Sequence, residues 1–178
     1  MALFHVGLWA FTRGDTATVM RTRQSLAALK SPTGRSWLRN ESIVYDDMLG
    51  AYLAVARKST DARARLAQLD SMLRNAPSLD DRLNTLMNSL LADLWERIDD
   101  PARALAANRR FHVGLEMGRL SSTRIRREAR LLERLDRPRE AIVAWRSDVA
   151  LRANAEPSLQ PDLAQAKANL ARLEVKVR

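Results

Sequence analysis

Apolar residues recur at every third or fourth position along most of this 178-residue chain, which is the spacing of a buried helical face. Ala141, Ile142 and Trp145 follow this spacing, and a wider apolar stripe extends from Leu83 to Trp95. Turn and cap signals separate about nine segments of roughly 10–20 residues each. No segment alternates apolar and polar positions over β-branched residues. The pattern therefore predicts an all-α fold in which consecutive helices run antiparallel.

Cap residues mark where these helices begin. Gly14-Asp15 interrupts an apolar run, and Asp100 stands directly before Pro101, which suits the first position of a helix because proline has no N–H to satisfy there. Ser78 with Asp81 three residues later resembles a capping box. Each signal predicts the start of a new helix.

Two stretches of the chain, residues 90–105 and 128–142, resemble one another. In each, a helix ends in Glu-Arg-aliphatic-Asp and is followed by a proline-marked turn and a second helix. This arrangement resembles the tetratricopeptide repeat (TPR), a helix–turn–helix unit of about 34 residues. The family's small buried residue on the first helix is matched by Gly7, Ala92 and Ala129.

Further positions extend the resemblance and also show where it departs from the family. The alanine at which the two helices of a unit cross is matched by Ala104 and Ala141, and in a weaker unit by Ala64. The Gly-Asp turn between the helices is intact only at Gly14-Asp15. Successive crossing positions are more widely spaced than the family's repeat of about 34 residues, which indicates longer helices or irregular loops.

The resemblance implies a TPR-like right-handed α-solenoid of about four helical hairpins plus a C-terminal capping helix. We expect a single repeat domain over residues 1–178, with units at about 2–31, 36–76, 78–118 and 121–155 and the capping helix at about 158–176. A generic antiparallel helical bundle is the alternative fold. The family resemblance implies a non-catalytic interaction module or scaffold that holds a peptide or partner protein in a concave groove.

In that family the exposed face of each first helix lines the groove. By register, Arg126, Arg130 and Arg134 fall on this face at intervals of four residues. Three guanidiniums on one stripe favour a carboxylate-rich or phosphorylated peptide. The alternative is a solvated face whose charges are neutralised by neighbouring acids.

The same register groups three apolar residues near the N-terminus: Phe4, Leu8 and Phe11. We expect these residues to form an exposed apolar patch that contacts a partner. Self-association through this helix, or packing against an upstream helix absent from the chain, is the alternative. The chain also resembles degenerate arrays that follow the catalytic domain of some bacterial signalling proteins, so we expect it to be the C-terminal part of such a protein.

Composition excludes several kinds of chemistry. The chain has no cysteine and two histidines, which excludes thiol nucleophiles and Cys-based metal sites. His112 and Glu116 lie four residues apart, but two ligands without a third favour a structural role. No glycine-rich phosphate loop is present. We therefore expect no enzyme activity, no metal and no cofactor.

The net charge of +9 makes nucleic-acid binding the alternative function. Eight arginines lie within a short stretch: Arg119, Arg124, Arg126, Arg127, Arg130, Arg134, Arg137 and Arg139. Acidic residues are interleaved with them, and no nucleic-acid-binding motif is present. The apolar residues 1–11 lack a basic region before them and are too few to span a bilayer, so we expect a cytoplasmic protein without membrane partners.

Overall fold

The computed structural model describes residues 2–29, 36–75, 80–110 and 118–177. Within these ranges the chain forms α-helices and no strand, which confirms the all-α prediction. None of the helices in these ranges combines the length and the apolar character needed to cross a membrane. The helices are α1 (Ala2–Thr12), α2 (Thr16–Ala28), α3 (Ser36–Ala56), α4 (Ala62–Arg74), α5 (Asp81–Arg97), α6 (Pro101–Asn108), α7 (Gly118–Arg134), α8 (Pro138–Leu151) and α9 (Gln160–Val177).

The chain divides into two compact units, Met1–Asp99 and Asp100–Arg178. Helices α1 to α5 belong to the first unit, and α6 to α9 belong to the second. The division lies between α5 and α6, inside the third predicted repeat. A single repeat domain over the whole chain therefore stays a prediction.

In the first unit, α1 and α3 pack side by side and run in the same direction. The Phe4 ring stacks on the Tyr45 ring with their centroids 4.5 Å apart, and Phe11 contacts Tyr52 at the same distance. Both pairs are separated by the same number of residues along the chain, so the two helices keep a constant parallel register. Helix α3 also packs against α5.

Helix α2 runs antiparallel to α3. Near the start of α2, the Met20 Sδ lies 3.3 Å from an Arg57 nitrogen at the end of α3. One turn later, Arg23 Nε donates to Asp46 Oδ1 at 2.7 Å, near the middle of α3. Alternate helices are therefore parallel and neighbouring helices antiparallel, as in adjacent helical hairpins.

The second unit repeats this arrangement. Helices α7 and α9 run parallel, because Arg126 contacts Asp162, and Glu133, further along α7, contacts Arg172, further along α9. Helix α8 packs against both and runs antiparallel to α7. The indole Nε1 of Trp145 on α8 donates to Glu133 on α7 at 2.7 Å.

The same type of backbone turn follows each of the helices α1, α3, α5 and α7. Each turn contains one residue with positive φ: Gly14 at 73°, Lys58 at 51°, Asp99 at 59° and Asp136 at 50°. The N–H of each donates to the carbonyl oxygen three residues earlier, at 2.9–3.1 Å, which is the Schellman type of helix ending. The sequence showed a glycine for the positive-φ position only at Gly14; the left-handed conformation costs a residue such as Lys58 about 1–2 kcal/mol, and aspartate adopts it more readily.

The small residues matched to the family are buried with one exception. Ala92, Ala104, Ala129 and Ala141 have no solvent exposure, and Gly7 is also buried. A Cβ atom on Gly7 would lie 2.7 Å from Leu49 Cδ1, so α1 and α3 approach closely there because Gly7 has no side chain.

The assignment of Ala64 as a crossing residue is wrong. Ala64 is exposed, whereas Ala62 is 6% exposed. Helix α4 buries Ala62, Leu66, Leu69 and Leu73, which lie three or four residues apart, and residue 64 falls on the opposite side.

The predicted caps at Asp15 and Asp100 are confirmed. Asp15 accepts from the Thr18 N–H at 2.9 Å, and Asp100 accepts from the Arg103 N–H at 3.1 Å. The hydrogen bonds from Thr18 hold the pKa of Asp15 below its usual range. Helix α5 is capped by Asp80, and the predicted capping residue Ser78 lies outside the described residues.

Tyr45, which packs between α3 and α1, has a raised pKa that an alkaline titration can measure. Burial of the phenol, together with the nearby Glu41 carboxylate, raises the pKa of Tyr45 from 10.0 to about 12. The folded chain therefore holds this proton more tightly than the unfolded chain does. The resulting stabilisation is complete below pH 10 and is lost as the pH rises towards about 12.

In Tyr52→Phe, Tyr45 is the remaining tyrosine, and its near-ultraviolet absorbance should titrate with a midpoint near 12. The same variant unfolded in urea serves as the control and should titrate near 10. A midpoint near 10 in the folded variant would contradict the burial of the Tyr45 phenol.

Candidate interaction surfaces

Helix α7 carries six arginines and two glutamates, so it is strongly basic. Of the three arginines predicted to form its binding stripe, Arg130 and Arg134 are exposed. Arg126 differs, because its side chain is 21% exposed and its Nη1 lies 2.9 Å from Asp162 Oδ2. The expectation of three exposed arginines is therefore wrong for Arg126, which packs against α8 and α9.

Arg126 belongs to a network of four charged side chains that joins α7, α8 and α9. Asp148, on α8, has no exposure and accepts from Arg152 Nε at 2.9 Å and from Arg126 Nε at 3.3 Å. The Asp162 carboxylate accepts from Arg152 Nη1 at 3.2 Å and lies 2.9 Å from Arg126 Nη1. Arg152 Nη2 also donates to Ser122 Oγ at 3.2 Å. Two positive and two negative charges balance inside the unit.

The helical periodicity of α7 does not by itself indicate this network. Asp148 lies three residues after Trp145 and so falls on the buried side of α8. A carboxylate on a buried helical face needs a charged partner, and Arg152 stands four residues later at helical spacing. These two features of the sequence indicate the Asp148–Arg152 pair, which is half of the network.

The predicted apolar patch at the N-terminus has a different composition in the structure. Phe4 has no solvent exposure, so the expectation that it lies on an exposed surface is wrong. Leu8 and Phe11 are half-buried, and the Phe11 ring lies between the Tyr52 ring and the Arg97 guanidinium, 5.5 Å from its centroid. Helices α2 and α3 cover this side of α1.

The exposed apolar residues of α1 are Leu3, Val6 and Trp9, with exposed fractions of 36%, 46% and 59%. They lie three residues apart, on the side of α1 that faces away from Phe4. The Arg13 guanidinium covers part of the Trp9 ring at 4.6 Å from the centroid. The N-terminal helix therefore has an apolar outer face, formed by residues other than those expected.

Carboxylates also neutralise arginines between α6, α7 and α8. Arg109 Nε lies 2.8 Å from Glu128 Oε1, and Arg109 Nη2 lies 3.2 Å from Glu140 Oε2. Hydrogen bonds from Arg137 and Arg109 hold the pKa of Glu140 below its usual range, so its carboxylate stays charged at neutral pH. This basic region therefore presents fewer unneutralised charges than its arginine content indicates.

Within the part of the chain that the structure describes, no group of three or more His, Cys, Asp or Glu side chains is placed to hold a metal ion. His112 and Glu116, the pair singled out in the sequence, lie outside the described residues.

No protein-family model matches this chain, and no curated protein or solved structure matches it either. The functional inference therefore depends on the geometry of the chain itself.

Proposed function

We propose that this chain is a non-catalytic protein-interaction module, built from TPR-like helical hairpins, that binds an acidic segment of a partner protein. The observation that carries the proposal is the recurrence of one positive-φ turn at residues 14, 58, 99 and 136, each at the end of a first helix. The parallel register of α1 with α3, and of α7 with α9, supports the same repeating arrangement within each unit.

Such a repeating arrangement explains why the first helices would carry the ligand. In helical-repeat proteins each hairpin buries its faces against its neighbours, and the remaining faces of the first helices are available to a partner. On α7 this surface presents Arg130 and Arg134, one helical turn apart. Guanidinium groups bind carboxylates through paired N–H donors, so an acidic segment is the complementary partner.

The ion pairs of the second unit favour this reading over nucleic-acid binding. Arg109, Arg126 and Arg152 are each held by two carboxylates within the unit. Phosphate-driven binding needs many basic side chains that release counterions, and these three are already neutralised. Two exposed arginines on one helix suit a short acidic segment better.

The test compares two double variants of equal charge. Arg130→Glu/Arg134→Glu should weaken binding of a fluorescein-labelled Asp- and Glu-rich peptide by about tenfold or more, because two charge-assisted contacts become repulsive. The control is Arg21→Glu/Arg139→Glu, which reverses two exposed arginines on α2 and α8. Its binding should stay within about twofold of the parent chain, since only general electrostatics change. Fluorescence anisotropy measures both.

Two outcomes would overturn the proposal. One is an equal loss of peptide binding in both double variants, which would indicate an effect of net charge alone. The other is tighter binding of duplex DNA or RNA than of the acidic peptide, with affinity that falls steeply with added salt. Circular dichroism verifies that both variants remain helical.

A further inference from the structure

The first unit contains a groove between α2 and α4 whose floor is α3. Three recesses share Arg23 in their lining, and the one that also includes Arg57 has a cavity volume of about 190 Å³. Its lining includes Met20, Arg23, Gly50, Arg57 and Arg65. We call it the α2–α4 groove. It is formed by residues other than those of the α7 surface, and no spacing pattern in the sequence indicates it.

Two of its arginines are oriented by carboxylates that occupy one side of each guanidinium. Arg23 Nε donates to Asp46 Oδ1 at 2.7 Å, and Arg65 Nε donates to Asp61 Oδ2 at 2.6 Å. Hydrogen bonds from Ser59 and Arg65 hold the pKa of Asp61 below its usual range, so it stays charged at neutral pH. The Nη groups of both arginines make no hydrogen bond within the described residues and remain available as donors.

The third arginine, Arg57, has no carboxylate partner within the described residues. Its Nη2 lies 3.3 Å from the Met20 Sδ, and a thioether sulfur is a weak acceptor that cannot neutralise a charge. Arg23 and Arg65 are each paired with one acid, so Arg57 is the arginine of the groove that has no carboxylate partner within the described residues. Asp47, on α3, lines the recess beside Arg65.

Gly50 gives the groove its depth. A Cβ atom at this position would lie 3.1 Å from Arg23 Cζ, so the guanidinium rests against the backbone of α3. Apolar residues also line the groove, with Leu53 in the recess that includes Arg57, and Leu69 and Met72 in the recess that includes Asp47 and Gln68. The groove therefore combines an arginine that has no carboxylate partner within the described residues with adjoining apolar side chains.

We infer that the α2–α4 groove binds a single carboxylate side chain, Asp or Glu, of a partner segment whose neighbouring apolar residues lie on the floor of the groove. The Arg57 guanidinium, which has no carboxylate partner within the described residues, matches one carboxylate, and the Nη groups of Arg23 and Arg65 supply further donors. The inference rests on the proposed function in one respect, which is that the ligand is a polypeptide.

The probe is the blocked peptide Leu-Ala-Glu-Ala-Leu, compared with its twin in which Gln replaces Glu. Two-dimensional NMR of the full chain should show the Glu peptide shifting the signals of the Arg23 and Arg65 Nε–H groups and of the Gly50 amide. The Gln twin, or the variant Arg57→Gln with the Glu peptide, should bind about tenfold more weakly, because the charge-assisted contact is lost. Arg21→Gln, an exposed change on α2, is the matched control and should bind as the parent does.

Gly50→Ala supplies a second variant that keeps every charge. Its methyl group should displace the Arg23 guanidinium and weaken binding of the Glu peptide, while the helical signal in circular dichroism stays unchanged. Equal binding of the Glu and Gln peptides would overturn the inference. So would the absence of shifts at about 5 mM peptide, where even a dissociation constant of about 1 mM gives a mostly occupied site.

The two proposals fail separately. If Arg130→Glu/Arg134→Glu bound the acidic peptide as tightly as the parent chain while the Glu peptide still shifted the groove signals, only the proposed role of Arg130 and Arg134 would be wrong. If the double variant lost peptide binding but the Glu peptide shifted no signal of Arg23 or Arg65, only the proposed role of the groove would be wrong.

Discussion

Asp148→Ala is expected to lower the free energy of unfolding of the second unit by about 3–5 kcal/mol. Asp148 has no solvent exposure, and its carboxylate lies 3.3 Å from Arg126 and 2.9 Å from Arg152. Its removal leaves two arginine side chains, 21% and 10% exposed, that share Asp162. A buried charge that loses its partner is not rehydrated, which is why the cost is large. Urea denaturation followed by far-ultraviolet circular dichroism measures it.

The control removes a carboxylate from the same pair of helices at the surface. Glu174 on α9 lies 2.7 Å from Arg146 on α8, with side-chain exposures of 35% and 62%. Glu174→Ala should change the free energy of unfolding by about 0–1 kcal/mol, because solvent screens an exposed pair. Equal effects of the two substitutions would show that the Asp148 network contributes no more than a surface pair.

Phe4→Ala is expected to lower the free energy of unfolding of the first unit by about 3–5 kcal/mol. Phe4 has no exposure and stacks on Tyr45, so the truncation opens a cavity between α1 and α3. This result would establish Phe4 as a core residue and not a partner contact. Thermal and urea denaturation of the variant provide the measurement.

Trp9→Ala is the matched control, because it truncates an aromatic side chain on the outer face of the same helix. Trp9 is 59% exposed, and the Arg13 guanidinium lies over its ring, 4.6 Å from the centroid. The expected loss is below about 1 kcal/mol, the value of an exposed cation–π contact. If Trp9→Ala destabilised the chain as much as Phe4→Ala, the orientation of α1 described above would be wrong.

The candidate surfaces were only partly predictable from the sequence. Spacing of four residues correctly placed Arg130 and Arg134 on exposed positions of α7. It could not assign Arg126, because its partners Asp148 and Asp162 come from helices 22 and 36 residues further along the chain. A sequence reports that a residue is charged, but the neutralising partner depends on which helices become neighbours.

The N-terminal helix shows the same limit for apolar residues. Residues 2–11 are apolar on almost every side, so periodicity cannot select the buried face. Packing against α2 and α3 selected Phe4, Gly7 and Ala10 as the interior and left Leu3, Val6 and Trp9 outside.

The all-α class and the caps at Asp15 and Asp100 were determined by the sequence alone, and the family resemblance correctly indicated that the alanines at 92, 104, 129 and 141 are buried. Helical periodicity and capping are interactions between residues a few positions apart, so they can be read without the fold. The tertiary structure alone decided the positive-φ conformation of Lys58, Asp99 and Asp136, the pairing of Arg126 with Asp148 and Asp162, and the α2–α4 groove. Each of these depends on groups brought together by packing, or on backbone strain that packing compensates, and neither is encoded in local spacing.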